Sequence, residues 1–346
     1  MTGDSSAAKI LVTGGAGYVG SHAVRAFLEA GYDVLVLDNL STGFSFATGD
    51  AELIVGDVGD PRVLEILFGR HRFQAVLHFA GHIWVSESIR NPAQYYRNNV
   101  TKALTLFETA AAHKVPHVIL SSTAAVYGDP TADLLSEELP PAPTTPYGAS
   151  KMMAERLLAD IAAASGMTYA ILRYFNVAGA DPKARLGEAT PDNRHLIKIA
   201  CETALGLRQS MQLNGTDYPT ADGSCIRDYL HVDDLANAHL DALRYLKNGG
   251  RSTICNCGYG RGWSNRKVIE MVKEVSGVDF DVQEGPRRQG DPAKLVACSD
   301  RIKALMGWTP HYDDLRVIVQ TAWCWEKVWQ ERKLDMTDHV ALCRSA

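Results

Sequence analysis

The first half of the chain alternates short apolar segments with longer segments of helical spacing. Six apolar runs predict strands, at Ile10–Thr13, Val34–Leu37, Leu53–Val55, Ala75–Phe79, Val118–Leu120 and Ala170–Leu172. The segments between them predict helices, at Val19–Ala30, Val63–Phe68, Pro92–Ala112 and Ser150–Ala164. Continuous apolar runs are typical of strands buried on both faces, and strand–helix alternation favours a parallel sheet. The pattern therefore predicts an α/β fold with a doubly wound parallel sheet.

After Asn176 the pattern changes to shorter, mixed and loop-rich segments, as in residues 181–193 and 214–228. This change predicts a smaller α+β lobe at the C-terminal end. We expect residues 1–8 to form a disordered tail and residues 9–176 to form the sheet domain. Residues 177–346 should form mainly the lobe. Within them, a segment near residues 226–250 should return to the sheet domain.

Composition narrows the class of protein. The chain has 346 residues, with 35 Lys and Arg against 40 Asp and Glu, so its net charge is −5. A mildly acidic chain argues against binding to nucleic acid or to a membrane surface, and no apolar run is long enough to span a bilayer. Seven cysteines without a C-x-x-C motif predict a reduced, cytoplasmic protein, and we expect Cys255 and Cys257 to be core residues rather than metal ligands. No metal site is predicted.

A glycine-rich turn between the first strand and helix is the strongest local motif. Gly14 permits the tight turn, Gly17 lets the backbone approach a pyrophosphate, and Gly20 lets helix and strand pack closely. Asp38 closes the second strand, where a carboxylate accepts hydrogen bonds from ribose hydroxyls and repels a 2′-phosphate. The combination predicts a Rossmann-type domain that binds NAD rather than NADP.

Two further strand ends lie where a cofactor would pass. Asp57 and Val58 follow the third strand, where the carboxylate either meets an adenine amino group or caps the strand end. Phe79, Ala80 and Gly81 end the fourth strand with mostly small residues, which either face the cofactor or serve packing alone.

A tyrosine and a lysine form the candidate catalytic pair. Tyr147 and Lys151 are four residues apart, so on a helix they share a face. A nearby ammonium and an oxidised nicotinamide both favour the phenolate, so Tyr147 can take a proton from a sugar hydroxyl as hydride leaves the same carbon. Ser121, Ser122 and Thr123 end the fifth strand, and Thr123 can hydrogen-bond the same substrate oxygen, because ligands bind at the carboxyl ends of strands in such sheets.

These motifs resemble the extended short-chain dehydrogenase/reductase superfamily and, within it, the UDP-galactose 4-epimerases. The superfamily resemblance rests on residues 13–20, 38–39, 78–81, 121–128 and 147–151. The narrower resemblance rests on the more specific stretches 95–100, 172–176, 215–220, 227–232 and 286–291. Together they extend over nearly the whole chain, from about Lys9 to about Trp329.

The resemblance implies a role for each matching residue. Tyr147 would act as base and acid, Lys151 would tune it and contact the nicotinamide ribose, and Thr123 stands where the family usually has serine. Besides the cofactor contacts already named, the resemblance implies contacts at Tyr18, Val19, Asn39, Asn98, Ser121 and Tyr174. The implied substrate contacts are Ser122, Thr123, Tyr147, Asn176, His195, Leu196, Arg227, Arg288, Asp291 and Leu295. Arg227 and Arg288 also suit a pyrophosphate by their own chemistry, because guanidinium forks match its oxygens.

The chain departs from the family pattern at three positions. Ile83 stands where some members carry a lysine near the cofactor phosphates. Lys198 stands where the corresponding stretch often ends in proline. Leu295 is of intermediate size at a position that influences whether N-acetylated sugars fit, so the sugar range stays open.

The resemblance implies a UDP-glucose/UDP-galactose 4-epimerase that inverts C4 through a bound 4-keto sugar, with an NAD-binding domain and a UDP-sugar-binding lobe. It also implies a homodimer packed through the helices Pro92–Ala112 and Ser150–Ala164. One alternative is a UDP-xylose/UDP-arabinose 4-epimerase. A second, of another class, is a non-catalytic dinucleotide or UDP-sugar sensor, although sensors lose the Tyr/Lys pair. A dehydratase would need an acid beside Thr123, where Ala124 and Ala125 stand.

Overall fold

The computed structural model describes residues 9–344, with side chains described as far as Lys333. The predicted tail of residues 1–8 lies outside the described residues. The fourteen strands of this range, β1 to β14 in chain order, are Lys9–Thr13, Asp33–Asp38, Glu52–Val55, Ala75–His78, His117–Thr123, Thr168–Tyr174, Asn176–Ala178, Met211–Asn214, Ile226–Arg227, Tyr229–His231, Thr253–Cys257, Trp263–Ser264, Val282–Gly285 and Lys294–Leu295. The eleven α-helices, α1 to α11, are Tyr18–Glu29, Pro61–Arg70, Val85–Arg90, Pro92–Tyr96, Lys102–Ala112, Pro146–Ser165, Leu196–Ala204, Val232–Lys247, Asn265–Ser276, Asp300–Met306 and Leu315–Arg344.

Seven parallel strands form the central sheet, in the order β11-β6-β5-β4-β1-β2-β3. The order reverses between β1 and β4, which is the point where ligands bind in a doubly wound sheet. The predicted doubly wound parallel sheet is therefore confirmed. Its carboxyl edge brings the glycine turn after β1, Asp38 at the end of β2 and Thr123 at the end of β5 to one side of the molecule.

The inner strands of the sheet, β1, β2, β4, β5 and β6, are buried on both faces, which explains their continuous apolar sequences. Along β1, Ile10 and Val12 enter the core beneath α1 and α8, whereas Leu11 enters the core beneath α2, α5 and α6. Successive side chains of a strand point to opposite faces, so a strand between two helical layers needs apolar residues at every position.

One predicted helix, Pro92–Ala112, is helical throughout but not uniform. A π-helical turn at Arg97–Thr101 separates α4 from α5. A π-turn inserts one extra residue into the helix and is frequent at functional sites. The turn carries Asn98 and Asn99, both of which lie near the end of β4.

The chain returns to the sheet domain after an excursion into the lobe. Helix α8 packs on α1, and β11 pairs with β6 at the edge of the sheet. The predicted return near residues 226–250 thus stops short of β11, whose Cys255 and Cys257 are both buried in the α1/α8 core. Strand β11 extends the return because its apolar residues cover the outer edge of that core.

The lobe is built from small sheets and three helices. Strands β9, β12 and β14 form one sheet, β8 pairs with β13, and β7 pairs with β10. Helices α7, α9 and α11 enclose a separate apolar core. This arrangement confirms the predicted smaller α+β lobe.

A buried charge cluster joins the sheet domain to the lobe. Arg25 of α1 pairs with Asp181, which follows β7, and with Asp233 of α8 at 2.6 Å. Asp233 also accepts from His22 at 2.5 Å. Burial opposes ionisation of Asp181, but hydrogen bonds from Arg185 and the charge of Arg25 lower its pKa to about 2. The ionised carboxylates therefore hold three separate segments of the chain together.

Because the pKa of Asp181 is lower in the folded state, its contribution to stability exists above about pH 4 and is lost as the pH falls towards 2. We expect Asp181→Asn to be less stable than the wild type at pH 6, and the difference to narrow by on the order of 1 kcal/mol at pH 3. Urea unfolding at the two pH values measures the difference in free energy of unfolding between the variant and the wild type. Asp160→Asn, in an exposed pair with Arg156, is the control. A difference independent of pH would contradict this role of Asp181.

Candidate active site

The glycine turn leaves a space open at the N-terminus of α1. Gly14 has a φ of 74°, and a Cβ there would lie 2.5 Å from the backbone nitrogen of Ala80. A Cβ on Gly20 would lie 2.1 Å from the Gly14 oxygen, so this position fixes how closely helix and strand pack. A Cβ on Gly17 would meet only the Gly14 oxygen, at 3.4 Å. The backbone beside Gly17 is therefore accessible to a ligand, at a helix end that favours anions.

Asp38 lies directly against this turn. Its carboxylate accepts hydrogen bonds from the backbone of Ala16 at 2.9 Å and of Leu40 at 2.8 Å. Leu40 has a φ of 56°, an unusual value for a branched residue, and this conformation directs its N–H to the carboxylate. Two oxygens with lone pairs to spare thus face the place where a ribose would follow the pyrophosphate.

Asp57 and Val58 take different positions. Asp57 accepts from Lys102 at 2.6 Å and from the Gly59 backbone at 2.8 Å. Burial raises the pKa of Asp57, but the hydrogen bonds from Lys102 and the Gly59 backbone and the charge of Lys102 together outweigh this effect and lower the pKa. Val58 packs in the core beneath the sheet. The side chain of Val58 is therefore a core residue, and only its backbone remains available to a cofactor.

Asn99 holds the turn that follows β4, although it is not among the site residues predicted from the sequence. Its buried amide accepts from the His82 backbone N–H at 2.8 Å and donates to the His82 carbonyl at 3.0 Å and to Ser150 at 3.1 Å. Asn98, the predicted contact, donates to the Asn99 oxygen at 3.2 Å. The sequence offers no signal for this role of Asn99, because the burial of a polar side chain in a helix is not visible in the sequence.

Tyr147 and Thr123 are brought together by the start of α6. Pro146 is the first residue of this helix, and the Thr145 hydroxyl caps it by accepting from the Gly148 N–H at 3.3 Å. Tyr147 is buried, and its phenol lies beside the Thr123 hydroxyl. Burial raises the pKa of the Tyr147 phenol, and the Thr123 hydroxyl works in the opposite direction. The pair occupies the carboxyl edge of the sheet, as the motif predicts.

Lys151 lies one turn further along the same face of α6. Burial lowers its pKa to about 8, although the charge of Glu155 opposes the change. Among the described residues its ammonium makes no direct hydrogen bond, and it lies beside Gly81, where a Cβ would be 3.9 Å from the nitrogen. A buried cation next to the cofactor-side end of β4 is positioned to donate to a ribose and to stabilise a phenolate.

Alternation along β5 separates the three hydroxyl residues. Ser121 hydrogen-bonds the Tyr174 hydroxyl, and Thr123 faces Tyr147. Ser122, only 1% exposed, instead donates to Glu155 at 2.5 Å on the opposite side of the strand. The expected contact between Ser122 and the substrate is therefore wrong for its side chain, because neighbouring residues of a strand point in opposite directions.

Glu155 in turn forms a buried two-point ion pair with Arg173, with Nη2 at 2.6 Å and Nε at 2.9 Å from the two carboxylate oxygens. This pair fixes α6 against β6, and so fixes Tyr147 and Lys151 relative to the sheet. Glu155 follows Lys151 by four residues, which was the signal that would have found it.

The predicted substrate residues lie mostly on the lobe. Arg227 of β9 pairs with Asp291 and donates to the Pro292 carbonyl at 2.7 Å. Leu295 of β14 is the register partner of Arg227. Arg288 is exposed and reaches the amide oxygen of Asn214 at 3.0 Å once that amide is oriented to accept. Asn176 is exposed at the start of β7.

Two contacts connect this lobe surface to the catalytic pair. Gly290 lies against Thr145, since a Cβ there would be 3.1 Å from the threonine methyl. His195, the cap residue before Leu196 of α7, packs against Trp84 with ring centres 5.1 Å apart and the ring planes tilted by 51°. The Trp84 backbone donates to the Tyr95 hydroxyl at 3.1 Å, and the Tyr95 ring meets Tyr147 edge to face. The lobe and the sheet domain therefore share one cleft.

Comparison with known proteins identifies the family. Residues 10–258 match the model of the NAD dependent epimerase/dehydratase family. The chain belongs to this family. It is thus a member of the extended short-chain dehydrogenase/reductase superfamily, and the family resemblance of its motifs is confirmed.

Individual relatives are similar over almost the full chain. A UDP-glucose 4-epimerase of Azospirillum brasilense is 49% identical, covering 94% of each chain. UDP-arabinose 4-epimerase 1 of Arabidopsis thaliana is 41% identical, covering 92% of this chain and 79% of the relative. The crystal structure of UDP-glucose 4-epimerase from Brucella ovis in complex with NAD has a TM-score of 0.89 and 40% identity, covering 92% of this chain and 98% of that one.

The family's cofactor fits the residues of this chain. The open backbone at Gly17 suits the pyrophosphate, Asp38 suits a ribose diol, and the Lys151 ammonium is free to donate. Within residues 9–333 we found no group of three or more side chains able to hold a metal ion. None of the described helices is long and apolar enough to cross a membrane.

Gly17 and Gly20 allow the NAD site of this family member to be tested. We expect Gly17→Ala to unfold at nearly the wild-type temperature but to bind NAD at least tenfold more weakly, because the added methyl enters the ligand's space. Gly20→Ala should lose stability itself, since its Cβ would meet the Gly14 carbonyl. Thermal unfolding and equilibrium dialysis with NAD measure the two effects. Wild-type NAD affinity in Gly17→Ala would place the pyrophosphate elsewhere.

Proposed function

We propose that this chain is a UDP-glucose 4-epimerase that interconverts UDP-glucose and UDP-galactose with bound NAD. The observation that carries the proposal is the position of the buried Tyr147 beside Thr123, with Lys151 one turn away, at the same sheet edge as the glycine turn. The UDP-glucose 4-epimerase activity of the relatives supports it.

NAD bound between the glycine turn and Lys151 would supply the acceptor, and then the donor, of the hydride at C4 of the sugar. Thr123 would hold the 4-hydroxyl oxygen by a hydrogen bond, and Tyr147 would take the hydroxyl proton. Because burial raises the pKa of Tyr147, the phenolate needs a neighbouring positive charge, which Lys151 provides. The 4-keto sugar stays bound, and Tyr147 returns the proton to the oxygen when C4 is reduced on its other face.

Inversion requires that the sugar turn while the nucleotide stays in place. Arg227 and Arg288 are on the lobe and are suited to the diphosphate, whereas Tyr147 and Thr123 belong to the sheet domain. Arg227 is held by Asp291 and by a backbone carbonyl, so its guanidinium is fixed before the ligand arrives. Preorganised anchoring of the diphosphate leaves the hexose free to present either face.

Two alternatives are separable by substrate. The Arabidopsis relative is a UDP-arabinose 4-epimerase, and the same proton-transfer residues would serve a UDP-pentose. A non-catalytic sensor of dinucleotides or UDP-sugars would not need Tyr147 and Lys151 in one buried cluster. The presence of that cluster favours the enzyme.

We further propose a homodimer packed through α6 and the helical segment that ends in α5. Met153 of α6 is 41% exposed, so a partner packed on this face would bury an apolar side chain that otherwise contacts water. Light scattering should give about twice the monomer mass of 37.7 kDa, and Met153→Asp should shift the mass towards the monomer. A wild-type monomer at micromolar concentration would contradict this interface.

We also propose that the protein is located in the cytoplasm. Six of the seven cysteines lie among the described side chains, and all six are free thiols. Four of them are buried, which suits a reducing compartment.

The function is tested by incubating the purified protein with UDP-glucose, UDP-galactose, UDP-N-acetylglucosamine and UDP-xylose, with and without added NAD. Anion-exchange chromatography separates the products. We expect UDP-glucose and UDP-galactose to interconvert. If only UDP-xylose is converted, the mechanism stands but the substrate is a UDP-pentose. If no sugar is converted even with NAD present, the result favours the non-catalytic sensor.

Tyr147→Phe is the matched variant in this assay, because it removes only the phenolic oxygen. We expect turnover to fall by about 10² or more while NAD and UDP still bind. Near-normal turnover in this variant would remove Tyr147 from the mechanism.

A further inference from the structure

The segment after β2 covers the glycine turn. We call residues 40–48 the β2 loop. Its Phe44 N–H donates to the Ala16 carbonyl at 3.0 Å, and a Cβ on Gly43 would lie 2.7 Å from the Ala16 backbone. A small pocket beside Gly17 has Thr42 and Phe44 on one side and Gly187 and Thr190 on the other. A ligand bound at the glycine turn is therefore enclosed by the β2 loop and by residues 186–190 of the lobe.

Aromatic side chains attach the β2 loop to the C-terminal helix. Trp329 of α11 meets Phe44 at a ring distance of 5.0 Å and Phe46 at 5.9 Å. Trp325, one turn earlier, stacks on Trp329 at 5.9 Å. The Arg332 guanidinium lies over Phe46 at 5.2 Å. We call Phe44, Phe46, Trp325 and Trp329 the α11 aromatic cluster.

The same helix also holds the second wall of the pocket. The Trp325 indole donates to the Glu188 carbonyl at 3.0 Å, and its ring lies so close to Gly187 that a Cβ there would be 2.4 Å away. Glu326 forms a buried ion pair with Lys198 of α7. Helix α11 is thus fixed to the lobe, and through Trp329 it holds the β2 loop in the closed position.

Trp329 is buried mainly by this arrangement. It is 2% exposed, whereas Phe46, which covers it, is 37% exposed. Its indole N–H has no hydrogen-bond partner among the described residues. Ring contacts rather than polar bonds therefore hold Trp329 in place, and opening the β2 loop would break them and expose the ring to water.

We propose that Trp329 is a positioning residue for NAD, which keeps the β2 loop closed over the glycine turn and thereby slows release of the cofactor. The inference rests on the NAD site proposed above. The β2 loop directly follows Asp38 and Asn39, so the segment that Trp329 holds begins immediately after the carboxylate that is proposed to bind the ribose. Departure of NAD then requires the contacts of Phe44 and Phe46 with Trp329 to break.

The test measures how fast NAD leaves the protein. Each aromatic pair contributes a factor of roughly 2–12, so Trp329→Ala should release NAD about tenfold faster or more. Phe46→Ala, at a half-exposed position, should give a smaller increase and is at little risk of misfolding. Trp329→Phe keeps an aromatic ring in the cluster and should restore most of the slow release. NAD retained after timed desalting is quantified following acid release.

Trp323→Ala is the control, because Trp323 is on the same helix but packs against the lobe core. Thermal unfolding of the cofactor-free proteins reports the loss of stability in each variant. We expect both tryptophan variants to lose stability, but only Trp329→Ala to release NAD faster.

Unchanged release from Trp329→Ala would overturn the proposal, as would equally fast release from Trp323→Ala. A wild type that binds no NAD would overturn it together with the cofactor site. A wild type that retains NAD but converts no sugar would refute the epimerase function, and the release rates would still decide the role of Trp329.

Discussion

The close approach of α1 to β1 is the constraint on which the rest of the site depends. In the first turn of α1, Gly20 packs against the Gly14 carbonyl, and Gly14 in turn packs against the backbone of Ala80. Any side chain at Gly14 or Gly20 would separate these segments, so the turn, the helix end and the end of β4 form one rigid surface. Asp38 extends that surface through its bond to Ala16. An N-terminal helix end with accessible N–H groups then faces the cleft, where it can bind an anion.

Electrostatics at the catalytic pair follow from burial. The same desolvation raises the pKa of Tyr147 and lowers the pKa of Lys151, so each group on its own favours its neutral form. The two groups are one turn apart on α6, so the protonated Lys151 would stabilise the phenolate form of Tyr147 in the proposed mechanism. The Glu155–Arg173 pair keeps α6 in register with the sheet, and the charge of Glu155 favours the protonated lysine. The position of the proposed proton carrier thus depends on a buried ion pair.

The two halves of the molecule must be rigid relative to each other, because the proposed diphosphate anchor is on the lobe and the proton carrier is on the sheet domain. Ionic and aromatic contacts both join the halves. Arg25 links α1 to Asp181 and Asp233, Trp84 packs against His195 across the cleft, and Trp329 joins α11 to the β2 loop. The first is ionic and buried, and the other two are aromatic. Aromatic contacts can break and reform without leaving a buried charge unpaired, which suits the sides of a cleft that admits ligands.

The sheet, the glycine turn and the spacing of Tyr147 and Lys151 were predictable from the sequence, because each of these is a local pattern. Apolar runs report burial on two faces, glycine spacing reports a turn, and a spacing of four reports a shared helix face. The family motifs added the lobe residues. Tertiary structure alone decided that Ser122 faces Glu155, that Val58 is a core residue, that β11 completes the sheet and that Asn99 holds the turn after β4. It also decided that Trp329, far along the chain, lies on the loop beside the glycine turn. These features depend on side-chain direction and on contacts between distant segments, which only the packed chain establishes.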